Sequence, residues 1–237
     1  MNTGARDANN LRWKIALVLN NLAGAEILES YDPERRPQIE AVVKYSVLVG
    51  RLANIRSWPL AIVRDAFFAA ANLIPRVRRY FREMRYMPKS IITRGLIVTH
   101  RHGSSLVGRV FPRLTVRDGN VKRDFDELCG KGFALIGVDV DQDTLTKVSQ
   151  LPAWTKIKPT CFNVRLDVSA RGPGFALDDD RQRTLLAPHV GEIAIVRPDR
   201  YTAASVTADE MLSRIDVIGR KIGLLSQSQS LGLRRPP

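Results

Sequence analysis

Residues 192–222 read EIAIVRPDRYTAASVTADEMLSRIDVIGRKI. Two apolar runs, Glu192 to Arg197 and Tyr201 to Val206, are separated only by Pro198, Asp199 and Arg200. Proline and aspartate stand where a tight turn favours them, so the runs are predicted to pair as an antiparallel hairpin. Thr207 and Glu210 then make a Thr-x-x-Glu capping box ahead of Met211, Leu212, Ile215, Ile218 and Ile222, whose spacing predicts a final amphipathic helix.

Upstream, the strand period recurs in three short apolar runs, Leu96 to Val98, Phe133 to Val138 and Phe162 to Leu166. Strand, helix, strand, then hairpin and helix is the element order of a thioredoxin-like α/β domain, expected here over residues 96–225. The polar tail SQSQSLGLRRPP, residues 226–237, is expected to be disordered.

The chain before Gly95 has a different period. Leu11, Ile15, Val18, Leu19 and Leu22 recur at helical spacing and predict a first helix from Asp7 to Asn21. Asp32, Pro33 and Glu34 read as an N-cap, a first-turn proline and a first-turn acid, opening a second helix whose apolar face, Ile39, Val42, Val43 and Val47, runs up to Gly50. Ser57 with Pro59 opens a third helix ending near Leu73, Pro75 opens a fourth, RVRRYFREMRY, and Pro88 closes this helical part.

With 237 residues, 44% of them hydrophobic, the chain can bury one large core or two small ones. Lys and Arg number 37 against 24 Asp and Glu, a formal net charge of +13, and the excess lies mostly before Gly103, where 17 basic residues face 8 acidic ones. Arg76, Arg78, Arg79, Arg82 and Arg85 with Tyr80, Phe81 and Tyr86 are the best case for a polyanion-binding surface, since arginines neutralise phosphate and aromatics stack on bases. The simpler reading puts Val77, Tyr80, Phe81 and Met84 against a core and leaves the arginines as the polar face; nucleic acid is not the expected partner. Cys129 and Cys161 lie far apart without a CxxC or a paired Cys/His spacing, which excludes a disulfide scaffold and a thioredoxin-type redox pair and fits a reducing cytoplasm. His100 and His102 share a face but lack a third nearby ligand, and His189 is remote, so no metal site is expected. Asp178, Asp179 and Asp180 read as a solvated acidic loop. No membrane span is expected, because Arg64 and Asp65 interrupt the one candidate stretch, Pro59 to Pro75.

The first residues, MNTGARDANNLRWKIA, resemble the GMNTGxxDAxNLxWKLA segment of the class A FAD-dependent aromatic monooxygenases, with Asn2, Thr3, Gly4, Asp7, Ala8, Asn10, Leu11, Trp13 and Lys14 standing where that family has them. The resemblance continues through SYDPERRPQIEAVVKYSVLVGR, HGSSLVGRVFP, GKGFALIG and VRPDRYTAA. It points to the branch of 3-(3-hydroxyphenyl)propionate and phenol-type hydroxylases, whose C-terminal domain is thioredoxin-like without redox cysteines. The resemblance implies FAD with NADH or NADPH as cofactors, and oxygen and a phenolic small molecule as substrates. It implies that Met1 and Asn2, with Thr3 beside them, lie against the pyrimidine side of the flavin, and that Asp7 braces the helix start. It supplies no general acid, base or nucleophile in this chain, and it admits a homo-oligomer.

The family's G-x-G-x-x-G fingerprint and its second glycine-aspartate motif are not in this sequence. Residues 1–95 are therefore expected to be the helical remnant of an FAD and substrate region. The chain as a whole then reads as the truncated C-terminal portion of such an enzyme, inactive without the FAD region. The rival expectation is a non-catalytic interaction or assembly module with a basic, polyanion-binding surface.

Overall fold

The computed structural model describes residues 2–83, 86–88, 90–99, 105–119, 121–167 and 174–224. The chain is a mixed α/β structure. Four helices come first: α1 (Asn2–Leu19), α2 (Tyr31–Ala53), α3 (Trp58–Leu73) and α4 (Pro75–Arg82), with a 3-10 turn, Ala25–Ser30, leading directly into α2. There follow β1 (Thr115–Asp118), β2 (Val121–Asp124), α5 (Phe125–Cys129), β3 (Ala134–Val138), α6 (Gln142–Ser149), β4 (Thr160–Arg165), β5 (Phe175–Leu177), α7 (Asp180–Leu186), β6 (Glu192–Val196), β7 (Thr202–Thr207) and α8 (Ala208–Lys221).

The seven strands form one sheet in the order β2-β1-β5-β4-β3-β6-β7. β3 runs parallel to β4 and antiparallel to β6, and β6 pairs antiparallel with β7. The predicted hairpin is present: Arg200 N–H donates to Arg197 C=O across a turn in which Arg200 takes the left-handed conformation, φ 68°. The capping box is also present, Thr207 Oγ1 accepting from Glu210 N–H ahead of α8. Strand alternation divides the apolar side chains between two layers. Leu135, Ile193 and Ile195 join Trp13 and Leu17 of α1, Leu145 and Val148 of α6, and Met211, Ile215 and Ile218 of α8. Ile136, Val138, Ala194 and Val196 pack with Phe125 and Cys129 of α5 and Leu186 of α7.

Two compact units can be distinguished, residues 1–34 with 91–237, and residues 35–90. The first helix therefore groups with the sheet, across the boundary expected at residue 95. In the second unit α3 and α4 bury none of their side chains. Tyr45, Phe67, Phe68, Phe81 and Tyr86 of this unit instead line a cavity of about 520 Å³ with Leu48, Val49 and Leu52. The core face expected for Val77, Tyr80 and Phe81 is thus only partial: Val77 is half-buried and the two rings are exposed, while Met84 and Arg85 fall outside the described residues.

Other expectations need correction. α1 begins five residues before Asp7 and ends where Asn21 adopts φ 54°, a conformation that asparagine tolerates better than most residues. Asp32 lies within the first turn of α2 rather than capping it, because the preceding 3-10 turn feeds straight into the helix. Leu96 to Val98 is not a strand: Gly95 turns at φ 102°, and Leu96 N–H is taken by the Glu34 carboxylate instead of a ladder partner. Strands β1, β2 and β5 were not expected. β2 is fully exposed and β5 pairs through only two residues on each side, so neither leaves an apolar period to read. The acidic run is not a free loop: Asp178 pairs with Arg117 and Lys122, and Asp179 caps α7 by accepting from Arg181 N–H. The tail 226–237, His100 and His102 lie outside the described residues.

Candidate functional site

Of the residues predicted to meet a flavin, Met1 lies outside the described residues, Asn2 supplies the first helical backbone position of α1, and Thr3 is half-buried. The first turn of α1 carries no acidic side chain. Gly4 is exposed, and a Cβ added there would meet nothing within 4 Å. A helix start of this kind presents free amide N–H groups and the positive end of the helix dipole to whatever approaches it.

The opposite side of α1 is fixed by a buried polar cluster. Asn10, Trp13, Lys14 and Leu17, at helical spacing i, i+3, i+4 and i+7, are its buried residues. Lys14 Nζ donates to Glu34 Oε2 at 2.9 Å and to Asn10 Oδ1 at 2.9 Å. Asn10 Nδ2 donates to Glu34 Oε2 at 2.7 Å and to Asp199 Oδ2 at 3.1 Å. The Arg197 guanidinium, at the end of β6, grips both carboxylates with two N–H groups each: Glu34 at 2.8 and 2.9 Å, and Asp199 at 3.0 and 2.6 Å. Its remaining N–H points at Leu96 C=O, 3.4 Å away. Arg197 Cζ lies 5.1 Å from the centre of the Trp13 ring, which itself meets Phe133 edge to face.

Every charged side chain in this cluster is withdrawn from water. Burial alone would raise the Glu34 carboxyl, but Arg197, Lys14 and Asn10 outweigh it and hold the group at about 2, from an ordinary value of 4.5. Burial pulls against the Arg197 charge too, yet Asp199 and Glu34 raise it further above its usual range. For Lys14 burial prevails over the pull of Glu34 and lowers the ammonium below its ordinary value. Gly95 is required beside this cluster: a Cβ there would stand 2.4 Å from Glu34 Cγ, and the backbone is at positive φ.

A second polar chain ties the turn at residues 105–108 to β6 and β7. His189 Nδ1 lies 3.0 Å from Glu192 Oε2 and His189 Nε2 lies 2.9 Å from Ser105 Oγ, while the Ser205 hydroxyl donates to the same Glu192 oxygen. Among the described residues, no group of three or more His, Cys, Asp or Glu is placed to hold a metal ion. Cys129 and Cys161 are free thiols on opposite faces of the sheet, and burial pushes Cys129 up to about 12. No described helix is long and apolar enough to cross a membrane.

Of this cluster the sequence predicts only a first-turn acid at Glu34 and a turn residue at Asp199, and it assigns Arg197 no role. The available signal was charge inside apolar sequence: Arg197 directly follows the buried run Ile193–Val196, where an unpaired cation would be costly.

Comparison with known proteins places this arrangement. Residues 1–46 match the FAD binding domain family, and residues 108–220 match the HcaD C-terminal domain. A 3-(3-hydroxy-phenyl)propionate/3-hydroxycinnamic acid hydroxylase of Klebsiella pneumoniae subsp. pneumoniae is 35% identical over 235 residues, covering 94% of this chain and 42% of the relative. The enzyme of the same description from Mycolicibacterium gilvum is 33% identical over 219 residues, covering 87% of this chain and 38% of the relative. Among solved structures, aklavinone-11 hydroxylase with FAD and aklavinone aligns with TM-score 0.65 at 16% identity, over 94% of this chain and 40% of that one. OxyS anhydrotetracycline hydroxylase from Streptomyces rimosus aligns with TM-score 0.63 at 19% identity, over 94% and 41%. The likeness to these structures is one of fold. In sequence the chain is similar to the C-terminal part of aromatic-ring hydroxylases, as the resemblance of residues 1–16 implied, and it spans about two fifths of the length of the curated relatives it matches.

Proposed function

We propose that this chain supplies the flavin-loop helix and the C-terminal domain of a FAD-dependent monooxygenase that hydroxylates a phenolic ring, with NADH or NADPH as reductant. The observation that carries the reading is the start of α1, where the family's segment forms a helix with no acid in its first turn and an open position at Gly4. These features fit an anionic ring edge. When bound, FAD would supply the redox chemistry that carries two electrons from NADH or NADPH to dioxygen, one oxygen atom entering the ring and the other leaving as water. Asn2 and Thr3, with Met1, would hold the pyrimidine edge, and the amides of the first turn would stabilise the negative charge that gathers there on reduction.

In the same reading residues 1–95 descend from the FAD and substrate region and residues 96–225 form a thioredoxin-like domain. The order β4-β3-β6-β7, with β3 and β4 parallel and β6 and β7 antiparallel, supports that assignment. A cytoplasmic location accords with two free thiols.

The test is flavin retention. The chain alone, without a G-x-G-x-x-G cradle for the pyrophosphate, is expected to lose FAD on gel filtration. Joined to an FAD-binding region that carries the cradle, it is expected to keep the flavin spectrum, and Asn2→Leu in that protein is expected to weaken FAD binding about ten- to hundredfold. Stoichiometric flavin on the chain alone, or unchanged binding in Asn2→Leu, overturns the reading.

A further inference from the structure

We propose that Arg197 and Asp199, in the turn between β6 and β7, are positioning residues for the flavin loop: acting through Glu34, Asn10 and Lys14, they set the direction of α1 and hence of its first turn. The proposal rests on the reading of α1 given above and assigns the C-terminal sheet a task that needs no redox cysteines.

The argument begins with leverage. Among the α1 side chains that are described, Asn10 is the fully buried one nearest the helix start. Asn2 stands eight residues before it, about 12 Å along the helix axis at 1.5 Å per residue. The first turns thus extend from the fully buried part of α1, and what orients Asn10 helps to set their direction.

Asn10 is held by carboxylates from two distant parts of the chain. Glu34 belongs to α2 and Asp199 to the β6-β7 turn, and one amide group donates to both. Arg197 then clamps the two carboxylates to each other through paired N–H bonds. Arg197 itself is anchored by its position at the end of β6 and by its main-chain N–H, which donates to Tyr201 C=O at 2.9 Å.

Energetics favour a positional role over mere cohesion. Taking ions out of water is expensive, and apolar side chains of similar volume commonly stabilise a core as well or better. What paired guanidinium-carboxylate bonds add is angle: the planar fork accepts its partner in one orientation, where apolar contacts tolerate many. The cations Lys14 and Arg197 and the anions Glu34 and Asp199 thus join three segments of chain in fixed orientation.

The experiment is amide hydrogen exchange on the whole chain, followed by peptide mass spectrometry, comparing the natural protein with Asp199→Asn and Arg197→Lys. Leu145→Ala, which opens the core under α6, serves as a control for general loosening. Both cluster variants are expected to speed exchange of residues 6–13, the first hydrogen-bonded amides of α1, about tenfold, the effect of losing one charged hydrogen bond, with less than about twofold change in strand residues 134–138. Leu145→Ala is expected to raise both segments together. The proposal is overturned if the cluster variants raise residues 6–13 only in step with the strand, as the control does. Should either variant fail to fold, Asn10→Ser removes the bridging amide alone and is judged by the same criterion. Exchange is read without flavin, so the two claims fail separately: unchanged FAD binding in Asn2→Leu removes the flavin reading, and matched exchange removes the brace.

Discussion

Two helical regions of this protein carry similar apolar periods, and they fare differently. α1 buries Trp13 and Leu17 in the layer below the sheet, whereas α3, with Leu60, Ile62, Val63, Phe67 and Leu73, leaves all its side chains at least partly exposed. The difference lies in what surrounds each apolar stripe. On α1 the stripe includes Asn10 and Lys14, whose partners Glu34 and Asp199 come from distant segments, are clamped by Arg197 and fix one docking orientation. Among the described residues, no comparable set of buried charges accompanies α3. Apolar period thus predicts that a helix has a buried face, and the polar residues within that face help to specify its neighbour.

Removing the hub of the cluster gives the largest expected effect. Arg197→Met leaves Glu34 and Asp199 buried without their main cation, and should destabilise the chain by about 3–5 kcal/mol in urea denaturation. A loss below about 1 kcal/mol would make the cluster incidental.

Acid should act through Glu34 in the same region. Its carboxyl is held at about 2 in the folded chain against an ordinary 4.5, so its contribution is complete above pH 4.5 and is lost as pH falls toward 2. The shift corresponds to about 3 kcal/mol across that window. Urea midpoints measured from pH 5 to 2 should therefore fall less steeply in Glu34→Gln than in the natural protein, and parallel curves would contradict the assignment.

The two regions should also differ under protease. Cuts are expected first within residues 54–90, with the segment 2–34 remaining bound to 91–224 through Trp13, Leu17 and the charged cluster. Early release of residues 2–34 would place α1 with the other helices. At the small end, Leu73→Ala should cost under about 0.5 kcal/mol because Leu73 is 84% exposed, whereas Leu145→Ala, at 1% exposure, should cost about 2–5 kcal/mol.

The contrast also explains which parts of the structure were legible in the sequence. The hairpin, the capping box before α8 and the starts of α3 and α4 all rest on local chemistry, a turn residue or cap within a few positions of what it controls. The β1-β2 hairpin had a local sign as well, Asp118 followed by Gly119 at φ 58°, but the exposed β2 hid its strand character. The run at Leu96 was misread because a side chain 62 residues away captures its N–H. The flavin role proposed for Met1, Asn2 and Thr3 comes from family resemblance alone, whereas Glu34, Arg197 and Asp199 matter through contacts spanning up to 189 positions, which no window along the chain contains.

The most direct test of the link between the buried cluster and the flavin loop is the FAD dissociation constant of this chain joined to a complete FAD-binding region, measured by flavin fluorescence for Asp199→Asn beside Leu73→Ala. A brace acting through α1 predicts binding weakened about tenfold by Asp199→Asn, the scale of one charged hydrogen bond, and unchanged by Leu73→Ala. Equal FAD affinity in Asp199→Asn and the natural sequence would contradict it.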